Sequence, residues 1–170
     1  MIFTWLQRLW LLPWPAWVRR AVEPVVMAGP VQRLIVPYFR CGVVAIIQND
    51  RGEYLLFRHT YRSQFPWGLP TGYLEHGEQP NDAIHREIAE ESGLSVEIGP
   101  VWRVYTDSRE IINIVFRGSC PRGDFRASAE ISEAQFFALD ELPALMSEQR
   151  ALLEASEMEV SDARSSGIST

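Results

Sequence analysis

An α+β fold is predicted for this chain, with a mixed β-sheet held between helices as an α/β/α sandwich. Three observations point there. Short runs rich in Val, Ile and Phe recur from residue 41 to residue 139, separated by clusters of Gly, Asn, Asp and Ser. Residues 41–48 form one continuous apolar run, the pattern of a buried strand. Two segments with helix start and stop signals, 80–92 and 141–155, are placed among and after these strands.

Each element has its own warrant. Asn49-Asp50-Arg51-Gly52 is a turn, so 41–48 and 53–58 should pair as a hairpin. A polar and aromatic loop follows over 59–67. Residues 68–74 read as a short strand leading into a glycine-framed loop, with Gly72 and Gly77 on either side of Tyr73-Leu74-Glu75-His76. Pro80 suits the first position of a helix, and Gly93 suits a left-handed stop after it. Residues 95–106 and 110–119 form a second hairpin around Asp107-Ser108-Arg109. After a loop over 120–129, a last strand covers 131–139, and Asp140 should cap a closing helix from 141 to 155.

The 170 residues are 46% hydrophobic, enough for one domain with a real core. The expected organisation is a tryptophan-rich helical extension over 1–38, a globular domain over 39–155 and a disordered Ser-rich tail over 156–170. Four of the six tryptophans, Trp5, Trp10, Trp14 and Trp17, fall in the extension. A first helix over 3–12 is broken by Pro13 and Pro15, and a second helical turn covers 16–27. The first helix is too short and broken to span a bilayer, and the start is not basic as in a secretory signal. The expected location is cytoplasmic, with membrane association or a processed targeting segment as the alternatives. The extension would pack on the domain or on a second copy in a homodimer. Alternatively, residues 1–20 would make a peripheral membrane contact, helped by Arg8, Arg19 and Arg20. A net charge of −6 argues against nucleic-acid partners. Cys41 and Cys120 are too few for a disulfide framework and read as buried thiols; no zinc pattern is present.

The chemistry lies in residues 72–94. Glu87, Glu90 and Glu91 stand at offsets of zero, three and four on the helix, which brings all three carboxylates to one face. Like charges so close raise one another's proton affinity, and folding does not require them there. A divalent cation removes the repulsion, and hard oxygen ligands suit Mg²⁺ or Mn²⁺. Arg86, four residues before Glu90, can steady a carboxylate from the side. Glu78 should steady the loop and the start of the helix. A carboxylate-bound Mg²⁺ suits hydrolysis of a small-molecule diphosphate.

Gly72, Glu78 and then Arg86-Glu87-Ile88-Ala89-Glu90-Glu91-Ser92-Gly93-Leu94 resemble the Nudix box at every fixed position. The resemblance covers 23 of 170 residues, and Trp67-Gly68-Leu69-Pro70-Thr71 looks like the family's lead-in. It implies a Nudix-type α/β/α sandwich and a pyrophosphatase that cleaves nucleoside diphosphates linked to another group. It also implies that the backbone carbonyl of Thr71 or Gly72 adds a metal ligand to Glu87, Glu90 and Glu91. Thr71 departs from the more usual Gly or Ala there, but it offers the same carbonyl. The general base would come from the box glutamates or from an acid outside the box. Glu130 is the outside candidate, with Glu133 second.

The substrate is less legible. Phe65, Trp67, Tyr73 and Tyr105 are stacking candidates, and Arg58, Arg62 and Arg103 could hold further phosphates. Of the histidines, His59 reads as a surface residue, His76 sits in the glycine loop and His85 projects away from the acids. The proline that marks ADP-ribose hydrolysis in the family is missing, since Pro100 lies too near the box and Pro121 too far. A different class, a catalytically silent nucleotide-binding or sensor module, would keep the fold but have no need for three intact carboxylates.

Overall fold

The computed structural model describes residues 13–26, 39–107 and 110–165. The chain divides into two units, Met1–Phe39 and Arg40–Thr170. In the first, helix α1 (Ala16–Val26) follows Pro15, whose carbonyl accepts the Val18 N–H at 3.0 Å. Trp17 on this helix is largely exposed. The helix expected over 3–12 lies outside the described residues. No helix among the described residues is long and apolar enough to cross a membrane.

The second unit runs β1 (Arg40–Gln48), β2 (Tyr54–His59), β3 (Trp67–Gly68), β4 (Thr71–Tyr73), α2 (Pro80–Ser92), β5 (Ser95–Thr106), β6 (Ile111–Arg122), β7 (Ile131–Phe137), a 3₁₀ turn (Leu139–Glu141) and α3 (Ser147–Ser165). Its seven strands form one mixed sheet. The main path is β3-β2-β1-β6-β5, with β4 also on β1 and β7 also on β2. β1 and β6 are parallel, from Arg40 opposite Ile111 to Gln48 opposite Ser119. The other pairings are antiparallel.

The apolar run of β1 is explained by cover on both faces. Val43, Ala45 and Ile47 pack with Ala83, Ile84 and Ile88 of α2. Val44 and Ile46 point the other way, into a cluster with Leu145, Leu152 and Leu153 at and before α3. Strand side chains alternate between faces, so a strand buried twice reads as continuously apolar. The sandwich is therefore α2, sheet, α3. Leu153 is fully buried. Leu153→Ala should destabilise the protein by about 2–5 kcal/mol. The check is a lower urea midpoint with unchanged slope.

Several expectations need correction. β1 and β2 share only the pair Gln48–Tyr54. β2 then pairs with β7, and the first half of β1 pairs with β4. The strand expected over 68–74 is split at Leu69-Pro70, where the Pro70 carbonyl accepts the Ala45 N–H at 2.9 Å. β6 continues to Arg122. Asp140 does not cap the closing helix; it sits in the 3₁₀ turn, and α3 begins only at Ser147. Leu142, held extended (φ −58°, ψ 132°) before Pro143, ends the first attempt. The tail expected to be disordered from 156 is helical through Ser165, while 166–170 lie outside the described residues. Its polar side chains are used in tertiary contacts. Glu157 accepts the Tyr54 hydroxyl at 2.6 Å, and Glu159 accepts Trp102 Nε1 at 2.6 Å and Arg117 Nη2 at 2.9 Å. Burial and Glu157 together push the Tyr54 pKa up, and the Trp102 and Arg117 donors pull that of Glu159 down. Cys41 is only half-buried.

Candidate active site

Helix α2 is set in place at both ends. Gln79 is extended before it (φ −84°, ψ 143°), and Pro80 opens the first turn without wasting an N–H. Gly93 is left-handed (φ 71°), and its N–H closes on the Ala89 carbonyl at 2.9 Å. With Ala83, Ile84 and Ile88 facing the sheet, Glu87 and Glu91 of this helix line the cavity described below, and Glu87 also meets β4.

Arg86 organises the acids. Its Nε and Nη2 donate to the two oxygens of Glu78 at 2.8 and 2.9 Å. Nη2 also reaches the Tyr73 carbonyl at 3.1 Å; Nη1 lies 3.1 Å from Glu87 Oε1 and 3.3 Å from Glu90 Oε2. This two-pronged contact holds the Glu78 carboxyl down at about 2, from the usual 4.5. The same acids push the Arg86 pKa upward. The Glu75 N–H donates to Glu78 at 2.9 Å, tying the glycine loop to the helix.

Gly72 lies directly against Glu87. A methyl group at Gly72 would overlap the Glu87 carboxylate, which also accepts the Tyr73 N–H at 3.2 Å. The absent side chain allows β4 and the acidic helix to touch.

A cavity of about 300 Å³ opens beside this contact. Of the sequence candidates, Thr71, Gly72, Tyr73, Glu87, Glu91, Glu130 and Arg62 line it, together with Tyr105. Glu90, Arg58 and Trp67 are not in its lining. Glu90 is 63% exposed and engaged with Arg86. Arg58 pairs with exposed Glu133 at 2.9 Å, and Trp67 packs edge-on against Phe137. Phe65 and Arg103 also lie elsewhere; Arg103 stacks on Trp102 at 4.5 Å. Among the described residues, no three acid, His or Cys side chains converge into a ready-made metal cluster.

The electrostatics nevertheless fit a cation. Glu91 is only 9% exposed, and its Oε2 has no hydrogen-bond partner. Burial, then Glu87 and Glu130, push its pKa up to about 8, against a smaller pull from Arg62 and a further push from Glu90. A buried carboxylate crowded by other carboxylates lacks positive charge. Divalent cations with oxygen ligands supply it.

His59, expected at the surface, is 3% exposed and lines the cavity. Burial, with Arg62 adding to it, pulls its pKa down to about 4 from 6.5. The unfolded chain therefore binds a proton below pH 6.5 that the folded chain refuses, so this residue's contribution lowers stability as pH falls from 6.5 toward 4. Glu91 acts in the opposite sense between pH 8 and 4.5, so comparison with a variant isolates the effect. The thermal midpoint of His59→Gln should fall less than that of the wild type across this window.

Asn113, Asp107, Tyr61, Glu148 and Gln149 are further polar residues of the lining that the sequence did not single out as candidates. For His59 a signal existed: simple alternation from buried Leu55 and Phe57 points the same way. Asn113 and Gln149 had none, because the parallel β1–β6 register and the docking of α3 bring them in.

A mixed sheet between two helices, with an Arg-braced acidic helix touching a glycine-containing strand beside a cavity, is an α/β/α sandwich whose acids, Arg and loop converge on one candidate site. Residues 39–155 match the model of the NUDIX domain, and the chain belongs to the Nudix hydrolase family. A MutT-like protein of Streptomyces ambofaciens is 30% identical over 127 residues, covering 74% of this chain and 81% of that protein. An ADP-ribose pyrophosphatase of Methanocaldococcus jannaschii is 35% identical over 109 residues, covering 61% and 64%. Among solved structures, the MutT protein of Methanosarcina mazei Go1 superposes with a TM-score of 0.61 at 28% identity, covering 71% of this chain and 94% of that one. A UDP-X diphosphatase superposes with a TM-score of 0.64 at 27% identity, covering 82% and 71%.

Proposed function

We propose that this cavity hydrolyses the phosphoanhydride link of a nucleoside diphosphate derivative in a reaction dependent on Mg²⁺ or Mn²⁺. The observation that carries the reading is Glu91 Oε2, buried without a partner in a cavity shared with Glu87 and Glu130. Glu87, Glu90 and Glu91 would hold the ion, with the carbonyl of Thr71 or Gly72 as a further ligand. When bound, such an ion neutralises phosphate charge, polarises phosphoryl oxygens and acidifies nearby water.

The remaining work belongs to the chain. Arg86 is a positioning residue that sets Glu87 and Glu90 through its fork of contacts. Glu90 would hold the ion only when released from its 3.3 Å contact with Arg86. Glu130 accepts the proton of the attacking water. Its backbone is held for this by the Thr60 N–H on its carbonyl at 2.8 Å and by Ser128 Oγ on its own N–H at 3.3 Å. Arg62 meets phosphate, and Tyr73, half exposed, offers a face to the leaving group.

The names of the relatives support the reaction class. They include ADP-ribose pyrophosphatase, RNA pyrophosphohydrolase and UDP-X diphosphatase, all of which denote cleavage at a pyrophosphate link. The deciding experiment is a panel of nucleoside diphosphate derivatives with Mg²⁺ and with Mn²⁺, read by phosphate release and product identification. Turnover abolished by chelation is the expected result. A folded wild-type protein that cleaves no member with either metal overturns the reading.

A further inference from the structure

We infer that His59 and Arg62 form an oxyanion subsite beside the carboxylates, built to hold a second phosphoryl group of the same substrate. It rests on reading the cavity as the active site.

The first support is a concentration of unpaired polar atoms. Among the described residues, the buried side-chain atoms without partners are His59 Nδ1 and Nε2, Arg62 Nη1, Glu91 Oε2 and Arg117 Nε. Four of these five belong to residues lining one cavity. Buried polar groups are normally paired, and each that is not costs about 1–3 kcal/mol. Several such groups around one space mark the place of a polar ligand.

The second support is convergence. A methyl group placed on Gly68 would lie 3.0 Å from Arg62 Nη1 and 3.3 Å from His59 Nε2. The bare glycine lets guanidinium and imidazole approach the same point. Gln149 Oε1 lies 3.0 Å from that point but is already engaged by the Leu69 N–H at 3.1 Å.

The third support is rigidity. The His59 N–H donates to the Pro66 carbonyl at 2.7 Å, and the next residue, Thr60, ties to Glu130. Tyr61 meets the His59 ring edge-on at 5.5 Å, and its own ring lies 5.6 Å from the Arg62 guanidinium carbon. The loop that carries the subsite is thereby braced and is tied through Thr60 to the segment before β7 that carries the proposed base.

The chemistry of the occupant follows. Arg62 is permanently charged, and the nearby acid Glu91 is already crowded by others. A phosphoryl group supplies several acceptor oxygens to the Arg62 and His59 N–H groups at once. Because the carboxylates stand in the same cavity, the ligand that uses both halves has two adjacent phosphates.

The test is calorimetric titration of inorganic phosphate and of pyrophosphate into the full-length protein with Mg²⁺, alongside steady-state kinetics on any substrate found. Arg62→Gln should weaken both anions about tenfold or more, and His59→Leu by a smaller factor. In turnover, KM should rise more than kcat. Gly68→Ala should mimic Arg62→Gln in part. Arg122→Ala, which removes a positive charge from an exposed pair with Glu97, should leave anion affinity unchanged. Arg62→Lys retains the charge and serves if Arg62→Gln does not fold; a loss of at least threefold is expected there. Affinities within twofold of the wild type in the folded Arg62 and His59 variants overturn the subsite. Arg62-dependent anion binding without hydrolysis of any diphosphate would sink the hydrolase reading and leave the subsite standing. Turnover with KM unmoved in both variants would do the reverse.

Discussion

Glu91→Gln should lower kcat by about 10²-fold or more while leaving the metal-free protein as stable as the wild type or more so. The two effects have one origin. Glu91 Oε2 is buried, unpaired and near Glu87 and Glu130, so above the ordinary carboxylate range the fold must either keep a crowded charge or take up a proton, and both cost stability. Gln has the same shape and no charge, which relieves that burden. The charge is what the proposed cation requires, and a neutral amide is a far poorer ligand for it. Single-turnover and steady-state rates across a range of Mg²⁺ concentrations give the first effect, and urea unfolding in a chelator gives the second. A variant with wild-type kcat would remove Glu91 from the ligand set. A variant that loses stability without losing rate would make it a structural acid.

Gly72→Ala should reduce kcat/KM by about 10²-fold, with a stability cost of only about 1–3 kcal/mol. The added methyl group overlaps the Glu87 side chain, not backbone. A side chain can swing away, so the fold has an escape. Swinging away breaks the contacts that Glu87 Oε1 makes with the Tyr73 N–H and with Arg86. Function therefore suffers more than folding. The paired measurement is thermal stability with kcat/KM on one substrate. A variant that retains activity would mean that the position of Glu87 is unimportant. One that fails to fold would mean that strand β4 cannot shift at all.

Helix α2 was legible from the chain alone because its signals are local. Pro80, Gly93 and the spacing of Glu87, Glu90 and Glu91 all fall within one element, and the helix spans Pro80–Ser92 as expected. The same spacing could not say that Glu91 would be buried and Glu90 exposed, since that depends on how the helix is rolled against β4. Residues 156–165 look polar and disordered in isolation. They are held as a helix against the sheet because Tyr54, Trp102 and Arg117, 103, 57 and 42 residues away from their partners, bind Glu157 and Glu159. The hairpin rule captured the turn at 49–52 but not the departure of β2 to β7, which competition from a distant strand decides. Arg58 and Arg62 look alike in sequence. One is taken by Glu133 and the other enters the cavity.

The central strand β1 also acts as a ruler. Its residue Gly42 stands opposite Tyr73 on one side and Asn113 on the other, so a single register aligns two cavity walls. The β6 half of that alignment joins segments that begin at Arg40 and Ile111, a distant and entropically slow closure. During refolding, helical signal should thus precede catalytic competence, because the reaction chamber lacks a wall until this distant pairing has closed.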